Sequence, residues 1–387
     1  RWYLERHLSK LFGAGSREAA PATAPHSPTP RESDLATLKG RIASAQRPLL
    51  VVGSQALGPG SDPAALAAAV GALGVPVFLS GMARGLLGAS HPLQFRHQRT
   101  QALREADLVV LAGTPCDFRL DYGRQIGRRA TLASINRDAT DLKRNRRLDL
   151  GLLAAPDRVL QALAGMAGAP QARQDWFDAL RARERARDED IAGRAAQPVT
   201  PLNPIALCQA VDAHLGDTSI VVADGGDFVA TASYILRPRA PLSWLDPGVF
   251  GTLGVGAGFI LGAHAARPGA EIWAIFGDGA LGFSLAEFDT LVRNRVPVVA
   301  VVGNDGKWAQ IARDQVAVLG DDVATNLGRA AYHRVVEGFG ARGLLLDAPS
   351  RIADTLGEAR RIANTGVPVL VNAMIGDTDF RNGSISL

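Results

Sequence analysis

Short apolar runs alternate with helix-like stretches between about residues 34 and 165. Each run ends at a glycine or a polar residue, and the stretches between the runs are rich in Ala, Leu and charged residues. Runs of this length fit strands that are buried on both faces of a parallel sheet. The predicted strands lie at 48–53, 75–79, 107–113 and 130–136, and the predicted helices at 34–45, 62–73 and 98–105. Repeated strand–helix units predict a doubly wound α/β domain.

The same alternation returns between residue 201 and about residue 378. Here the predicted strands lie at 219–223, 271–276, 296–302 and 367–371, and the predicted helices at 204–215, 251–265, 284–294 and 350–364. The two units share this style without an obvious sequence repeat. The second stretch therefore predicts a second α/β domain of the same class.

The remaining segments have the composition of connections. Residues 1–33 combine an amphipathic helix with a Pro- and Ala-rich linker, and residues 166–200 form a charged helical linker. The fold class is therefore α/β, with two doubly wound, mostly parallel-sheet domains joined by a helical linker. The central domain is predicted at 34–165, and the second domain, with a C-terminal tail, at 201–387.

Composition and charge exclude several classes of protein. Hydrophobic residues make up 47% and charged residues 21%, which is ordinary for globular proteins and excludes collagen-like and wholly disordered chains. The net charge of +4 is small, and the densest basic cluster, 143–147, is short, so no nucleic-acid partner is predicted. Cys116 and Cys208 are predicted to be small core residues, and no stretch is predicted to span a membrane.

The most informative segment is Gly277-Asp278-Gly279-Ala280, which follows an apolar strand. Asn304 follows the next predicted strand. Carboxyl ends of neighbouring parallel strands meet at one edge of a sheet, so a carboxylate and an amide oxygen are expected side by side. Both are hard oxygen ligands suited to Mg²⁺, and N–H groups at the turn suit a diphosphate. The alternative is that the glycines shape a turn and Asp278 caps a helix.

This arrangement resembles the thiamine-diphosphate enzymes, whose fingerprint is Gly-Asp-Gly followed by Asn at about the distance in sequence that separates Asp278 from Asn304. The resemblance implies thiamine diphosphate and Mg²⁺ as cofactors, with the metal held by Asp278, Asn304 and the Gly306 carbonyl. The implied cofactor-binding residues are Gly226, Asp227, Phe228, Gly251, Leu253, Gly277, Asp278, Gly279, Ala280 and Asn304. An acid beside a diphosphate is unfavourable unless it is paired, so Asp227 is expected to act through its backbone. Trp308 and Gln310 are candidates to line a substrate channel, although packing is an equal alternative for Trp308.

Residues 34–165 resemble the central domain of the same family. That domain binds FAD in acetolactate synthases and ADP or the nucleotide of CoA in acyl-CoA lyases. The stretch contains no Gly-x-Gly-x-x-Gly motif, and 53–57 is a weak strand-end candidate. A nucleotide-free packing domain is therefore an equal alternative.

Further matching stretches, at 81–87, 116–120, 244–248 and 379–384, point to the acetolactate-synthase-like acyl-CoA lyases of animals within the family. The resemblance implies cleavage of a 2-hydroxyacyl-CoA to a shortened fatty aldehyde and formyl-CoA, as in fatty acid α-oxidation. The alternative substrate is a 2-keto acid, joined as in acetolactate synthesis. The full-length protein is expected at the endoplasmic reticulum membrane, through an anchor outside these residues.

The resemblance also implies that this chain carries only part of an active site. The family's proton-relaying Glu lies in a pyrimidine-binding domain expected before Arg1, so no catalytic residue is assigned here. The site forms between subunits, so a homodimer or homotetramer through the diphosphate domain is expected, and the chain alone is expected to be inactive. A non-catalytic cofactor-binding partner is the alternative class. A nicotinamide dehydrogenase would need a glycine fingerprint and an acidic ribose ligand that the sequence does not offer in context. Residues 379–387 are expected either to cover the site or to fray.

Overall fold

The computed structural model describes residues 1–12, 28–165 and 173–382. The first helix, α1 (Trp2–Phe12), matches the amphipathic helix predicted at the start of the chain, and the side chains of Trp2, Leu4, Leu8 and Phe12 are exposed. The predicted Pro- and Ala-rich linker and the start of the second linker lie largely outside the described residues. No helix within the described ranges is both long enough and apolar enough to cross a membrane.

The central domain is a six-stranded parallel sheet flanked by helices. Its strands are β1 (Pro48–Val52), β2 (Val77–Leu79), β3 (Gln94–Phe95), β4 (Leu108–Ala112), β5 (Thr131–Asn136) and β6 (Leu150–Leu153). Its helices are α2 (Glu32–Ser44), α3 (Pro63–Ala72), α4 (Arg99–Glu105), α5 (Ala139–Leu142) and α6 (Pro156–Gly165). The strand order β3-β2-β1-β4-β5-β6 reverses between β1 and β4. This is the order of dinucleotide-binding folds, so the predicted doubly wound sheet is confirmed.

Helix α7 (Gln174–Ala195) connects the two domains and is more than a solvated linker. Trp176 and Leu180 are buried in the core of the central domain, whereas Ile191 is buried in the core of the second domain. The Trp176 indole N–H donates to the Pro48 carbonyl (3.0 Å). One helix therefore contributes apolar side chains to both cores, while Asp175, Asp178, Arg185, Asp188 and Glu189 are exposed.

The second domain is also a six-stranded parallel sheet. Its strands are β7 (Ile220–Asp224), β8 (Trp244–Leu245), β9 (Ile272–Gly277), β10 (Val299–Asn304), β11 (Arg342–Leu346) and β12 (Val369–Met374). Its helices are α8 (Pro204–His214), α9 (Asp227–Ile235), α10 (Gly256–Ala266), α11 (Asp278–Ser284), α12 (Glu287–Arg293), α13 (Ala309–Leu319), α14 (Tyr332–Gly338) and α15 (Ile352–Ala363). The order β11-β12-β10-β9-β7-β8 reverses between β7 and β9. Ligands of open α/β sheets bind at such reversal points, beyond the carboxyl ends of the strands.

Two element predictions in this domain need correction. The helix predicted at 284–294 corresponds to α12 (Glu287–Arg293), and a separate helix that was not predicted, α11 (Asp278–Ser284), precedes it. The helix predicted from residue 251 begins only at Gly256, because Gly251 and Gly254 have φ of +64° and +85°, which a right-handed helix cannot use. The strands β3, β6, β8 and β11, at or near the sheet edges, were not predicted.

Arg96 joins the two domains across their interface. Its Nη2 donates to the carbonyls of Tyr234 (2.6 Å), Ile235 (3.2 Å) and Leu236 (3.3 Å), which end helix α9. Those carbonyls have no partner within the helix, and the negative end of the helix dipole favours a cation there. A side chain of the central domain thus caps a helix of the second domain.

Candidate functional site

The site lies where the second sheet reverses its strand order. Strand β7 ends at Asp224 and is followed by Gly225-Gly226, while β9 ends at Gly277 and is followed by Asp278. The Gly277 N–H donates to the Gly225 carbonyl (3.1 Å), and a Cβ at Gly277 would lie 2.7 Å from that oxygen. Glycine is therefore required at 277 because the two backbone segments approach closely.

Asp278 is held by backbone N–H groups at the first position of α11. Its Oδ1 accepts from Gly279 N (2.8 Å) and its Oδ2 from Gly306 N (2.7 Å). The residue is 3% exposed, and burial raises the pKa of its carboxyl against the opposing effect of these hydrogen bonds. Burial and the neighbouring Asp278 also raise the pKa of Asp305 to about 7. Two crowded carboxyl groups make this point favourable for a cation.

Asn304 lies beside Asp278 at the end of the adjacent strand. The register pairs Gly303 of β10 with Gly277 of β9, so the next residues, Asn304 and Asp278, leave the sheet together. The Asn304 Nδ2 donates to Ala330 O (3.0 Å) and to Asn372 Oδ1 (3.0 Å). Its Oδ1 is buried and has no hydrogen-bond partner among the described residues. A buried carbonyl oxygen without a donor is expensive, and a metal ion would satisfy it.

Gly306 is hydrogen-bonded through both of its backbone groups. Its carbonyl accepts from Leu327 N (2.7 Å) and Gly328 N (3.1 Å), and its N–H donates to Asp278 Oδ2 and so orients that carboxylate. Coordination of a metal by the Gly306 carbonyl stays a prediction.

The segment 251–256 is fixed by a residue that the sequence analysis did not single out. Asp224 Oδ1 accepts from Gly254 N (3.1 Å), and its Oδ2 accepts from Gly256 N (2.7 Å). The Leu253 side chain packs over Gly225, where a Cβ would lie 2.1 Å from Leu253 Cδ2. Asp224 thereby sets the path of the chain through Gly251 and Leu253, which both line the cleft described below.

Helix α9 begins with Asp227 and Phe228, directly after Gly226. Gly226 lines the cleft, whereas the side chains of Asp227 and Phe228 do not. Gly226 precedes the helix with φ of +92°, whereas the Phe228 ring packs on Gly303 in the core. The Asp227 carboxylate pairs with Arg313 and lies 4.0 Å from the Arg381 Nε. This pairing is the arrangement expected of an acid near a diphosphate site.

Trp308 and Gln310 lie on different sides of the loop after β10. The Trp308 indole covers Gly279, where a Cβ would lie 2.4 Å from the ring, and its centroid is 6.3 Å from that of Phe283. Gln310 lines the cleft. Ala280 is buried beneath the loop, next to Gly225. Trp308 is therefore placed as a packing residue above the first turn of α11.

A cleft of about 640 Å³ lies between the two domains and reaches the loops around Gly225, Gly226 and Gly251. Its central-domain wall carries four arginines, Arg84, Arg96, Arg99 and Arg119. The Arg84 guanidinium stacks 4.8 Å above Trp244 and donates to Ser233 O, and Arg99 donates to Arg119 O. Burial lowers the pKa of Arg84, Arg96 and Arg99, that of Arg96 to about 10, so Arg96 stays charged at neutral pH. This wall is suited to an anionic ligand.

The described part of the C-terminal tail borders this cleft. Asp379 pairs with Arg194 (2.7 Å), and Phe380 is buried with its ring edge-on to Tyr234. Arg381 stacks over Tyr234 and lines the cleft. Residues 383–387, the rest of the predicted cover, lie outside the described residues.

The reversal point of the central sheet is packed by the protein itself. A Cβ at Gly53 would lie 2.1 Å from Thr114 Oγ1 and 2.5 Å from Gly113 O. Gln55 Nε2 donates to Asp141 Oδ2 (2.9 Å) across the same edge. The weak candidate at 53–57 therefore lies in a close-packed turn.

The donors of the second domain fit Mg²⁺ better than a transition metal. No cluster of three or more His, Cys, Asp or Glu side chains able to hold a metal occurs within the described ranges. One carboxylate and one amide oxygen suit Mg²⁺, which takes its remaining ligands from water and phosphate oxygens. Cys116 and Cys208 are buried, and burial raises the pKa of both thiols, so they are core residues as predicted.

Comparisons with known proteins agree with this site. Residues 224–373 match the family model "Thiamine pyrophosphate enzyme, C-terminal TPP binding domain", and residues 35–163 match "Thiamine pyrophosphate enzyme, central domain". The chain is 46% identical over its whole length to human 2-hydroxyacyl-CoA lyase 2 and 43% identical to that of Caenorhabditis elegans. It spans about 62% of the length of both relatives. It is also 35% identical, over 95% of its length, to a Mycobacterium tuberculosis acetolactate synthase large subunit, of which it covers 66%.

Proposed function

Because the chain belongs to the thiamine pyrophosphate enzymes, of which it carries the central and C-terminal domains, we propose that it is part of a C–C lyase that cleaves 2-hydroxyacyl-CoA. The products would be an aldehyde one carbon shorter and formyl-CoA. The observation that carries the proposal is that Asp278 and the unpartnered Asn304 oxygen follow neighbouring strands of the sheet whose loops at Gly225 and Gly226 line the arginine-bearing cleft.

Each part of the site has a distinct task. When bound, thiamine diphosphate supplies a nucleophilic carbon and an electron sink for breaking the C–C bond. Asp278 and Asn304 would hold Mg²⁺, which neutralises the diphosphate. Asp224 fixes the backbone at Gly254 and Gly256 and so positions the apolar side chain of Leu253 beside the cofactor.

The cleft supports a large anionic substrate. Its arginines suit phosphate groups such as those of CoA. The names of the more similar relatives point to the same substrate class. Acetolactate synthesis from pyruvate is the second candidate, favoured by the 35% identity to an acetolactate synthase.

The apolar surface near the cofactor loops supports assembly with a further domain. Val249, Phe250 and Phe283 are exposed there, Phe250 by 86%. Large exposed apolar patches mark interaction sites. We propose that this surface receives the Glu-bearing pyrimidine-binding domain of a second subunit, in a homodimer or homotetramer at the endoplasmic reticulum membrane. The 387-residue chain alone would then show no turnover.

The test uses the full-length protein that carries this chain, supplied with thiamine diphosphate and Mg²⁺. Formation of aldehyde and formyl-CoA from a 2-hydroxyacyl-CoA is measured by mass spectrometry, beside formation of acetolactate from pyruvate. We expect cleavage of the CoA ester. Acetolactate alone would favour the second candidate, and absence of both products from a cofactor-loaded protein would contradict the proposal.

A matched pair of variants tests the cleft. Arg99→Gln removes a buried guanidinium of the cleft wall, whereas Arg124→Gln removes an exposed one nearby on the same domain. We expect KM for the CoA ester to rise about tenfold in Arg99→Gln, a change worth about 1.4 kcal/mol, and to stay unchanged in Arg124→Gln. Equal KM values in both variants would exclude the arginine wall as the substrate site.

A further inference from the structure

Asn372 forms a buried hydrogen-bond network behind Asn304. It lies on β12 opposite Val302 of β10 and has no exposed surface. Its Oδ1 accepts from Asn304 Nδ2 (3.0 Å), and its Nδ2 donates to Ala330 O (3.0 Å). The Asn372 Nδ2 also lies 3.2 Å from His333 Nδ1. An amide in the middle of an apolar strand is costly unless it is fully bonded, as it is here.

This network determines which way the Asn304 amide faces. An amide nitrogen has two hydrogens, and both Asn304 hydrogens find acceptors, in Ala330 O and Asn372 Oδ1. Rotating the amide by half a turn would place the Asn304 oxygen against these two oxygens. The observed orientation therefore leaves Asn304 Oδ1 without a hydrogen-bond partner among the described residues, at a strand end that neighbours that of Asp278.

His333 fixes Asn372 in the same manner. Because the Asn372 nitrogen can only donate, His333 Nδ1 must accept, which requires a neutral ring with its proton on Nε2. Burial lowers the pKa of His333, in keeping with a neutral ring. With its nitrogen bound to His333 and Ala330, Asn372 presents its oxygen to Asn304.

We propose that Asn372 is a positioning residue that turns the Asn304 oxygen toward the divalent cation, and that His333 holds Asn372 in the required orientation. The inference rests on the proposed function, since it assumes a cation between Asp278 and Asn304. Neither Asn372 nor His333 would touch the cation, the cofactor or the substrate. Partners of this kind typically change metal affinity by 10- to 100-fold.

The test is a titration of the full-length protein with Mn²⁺ in place of Mg²⁺, in the presence of thiamine diphosphate, followed by electron paramagnetic resonance. Asn372→Leu retains the branching and the number of heavy atoms of the side chain but removes all three hydrogen bonds. We expect its Kd for Mn²⁺ to rise at least tenfold, and that of His333→Ala to rise by a smaller factor. Unchanged Mn²⁺ affinity in Asn372→Leu, with normal binding by the wild type, would overturn the inference alone. Absence of Mn²⁺ binding by the wild type would overturn the proposed function.

Two controls separate positioning from a general loss of structure. Asn136→Leu removes an equally buried amide at the end of β5 in the central domain, and we expect Tm to fall while Mn²⁺ affinity stays constant. In an Asn304→Asp background one carboxylate oxygen faces the Ala330 and Asn372 oxygens, so Asn372 no longer helps to orient the metal ligand. There, Asn372→Leu should not raise the Kd, and a tenfold rise would contradict the inference.

Discussion

The two domains carry the same type of sheet but use their reversal points differently. In the central domain, Gly53 and Gly113 pack so closely at this point that a Cβ at Gly53 would collide with Thr114. In the second domain, the same topological position holds Asp278 and an Asn304 oxygen without a protein donor. Both edges leave buried polar atoms without a partner among the described residues. At the first edge these are Gln55 Oε1, Thr114 Oγ1 and Asn136 Nδ2, whereas at the second the atom is an oxygen of Asn304, whose strand end neighbours that of the buried carboxylate Asp278. Topology therefore selects the place for a ligand, and side chains decide whether the place is used.

The largest expected effect separates the two edges by binding. Asp278→Ala removes the carboxylate ligand, and Asp138→Ala removes a carboxylate that caps α5 beyond β5 of the central sheet. We expect Asp278→Ala to weaken Mg²⁺-dependent binding of thiamine diphosphate more than 100-fold, which is about 2.7 kcal/mol or more. Isothermal titration calorimetry should find Asp138→Ala unchanged in affinity. Similar losses in both variants would mean that the central edge also serves the cofactor.

The second prediction concerns packing at the central edge. Gly53 has an extended backbone that alanine can also adopt, so Gly53→Ala adds no backbone strain. Its cost is the steric clash of the new Cβ with Thr114 Oγ1 and Gly113 O. We expect a loss of about 3 kcal/mol in the free energy of unfolding, measured in urea, without a change in cofactor affinity. Gly258→Ala is the control. An added Cβ there meets nothing within 4 Å at an exposed position of helix α10, so stability should rise by about 0.5–1 kcal/mol. If Gly53→Ala leaves the free energy of unfolding unchanged, the strand ends at this edge can move apart to make room for a side chain.

The third and smallest effect depends on pH. His97 follows β3, and burial together with Arg96 lowers its pKa to about 4, against the opposing effect of Asp188. Because the native pKa lies below that of the unfolded chain, the neutral ring stabilises the fold above about pH 6.5, and this contribution is lost as pH falls toward 4. The stability advantage of the wild type over His97→Gln should shrink by about 2 kcal/mol between pH 7.5 and pH 5. A constant difference in urea denaturation would contradict the assignment.

The sequence was sufficient to locate the long buried strands and to place Asp278 and Asn304 at neighbouring strand ends. Apolar runs located β1, β4, β7, β9 and β10 to within a few residues, because strands buried on both faces need uninterrupted apolar side chains. Asp278 and Asn304 could be paired in advance, since each follows such a run. The missed strands β3 and β8 have two residues each, which is too short for any periodicity.

Other parts of the site depend on contacts between distant segments. Asn372 lies 68 positions from Asn304 and looks, in the sequence, like the end of an apolar strand. The signal available was an amide directly after a Val-Leu-Val run, which is costly unless it is bonded. Arg84, Arg96 and Arg99 belong to a different domain from the cofactor loops, and nothing in their local sequence indicates a shared cleft. The two hydrogen bonds to the Gly306 carbonyl likewise come from a loop that local sequence does not place.

Helix α9 carries the consequence of the Arg96 cap. The N-terminal end of this helix follows Gly226, beside the cofactor loop, and its C-terminal carbonyls are hydrogen-bonded to Arg96 of the central domain. A rotation of the central domain that displaces Arg96 would therefore shift the helix along its axis and move its N-terminal end. We therefore expect a ligand that moves the two domains relative to each other to change the position of the loop at Gly226 through the nine residues of helix α9.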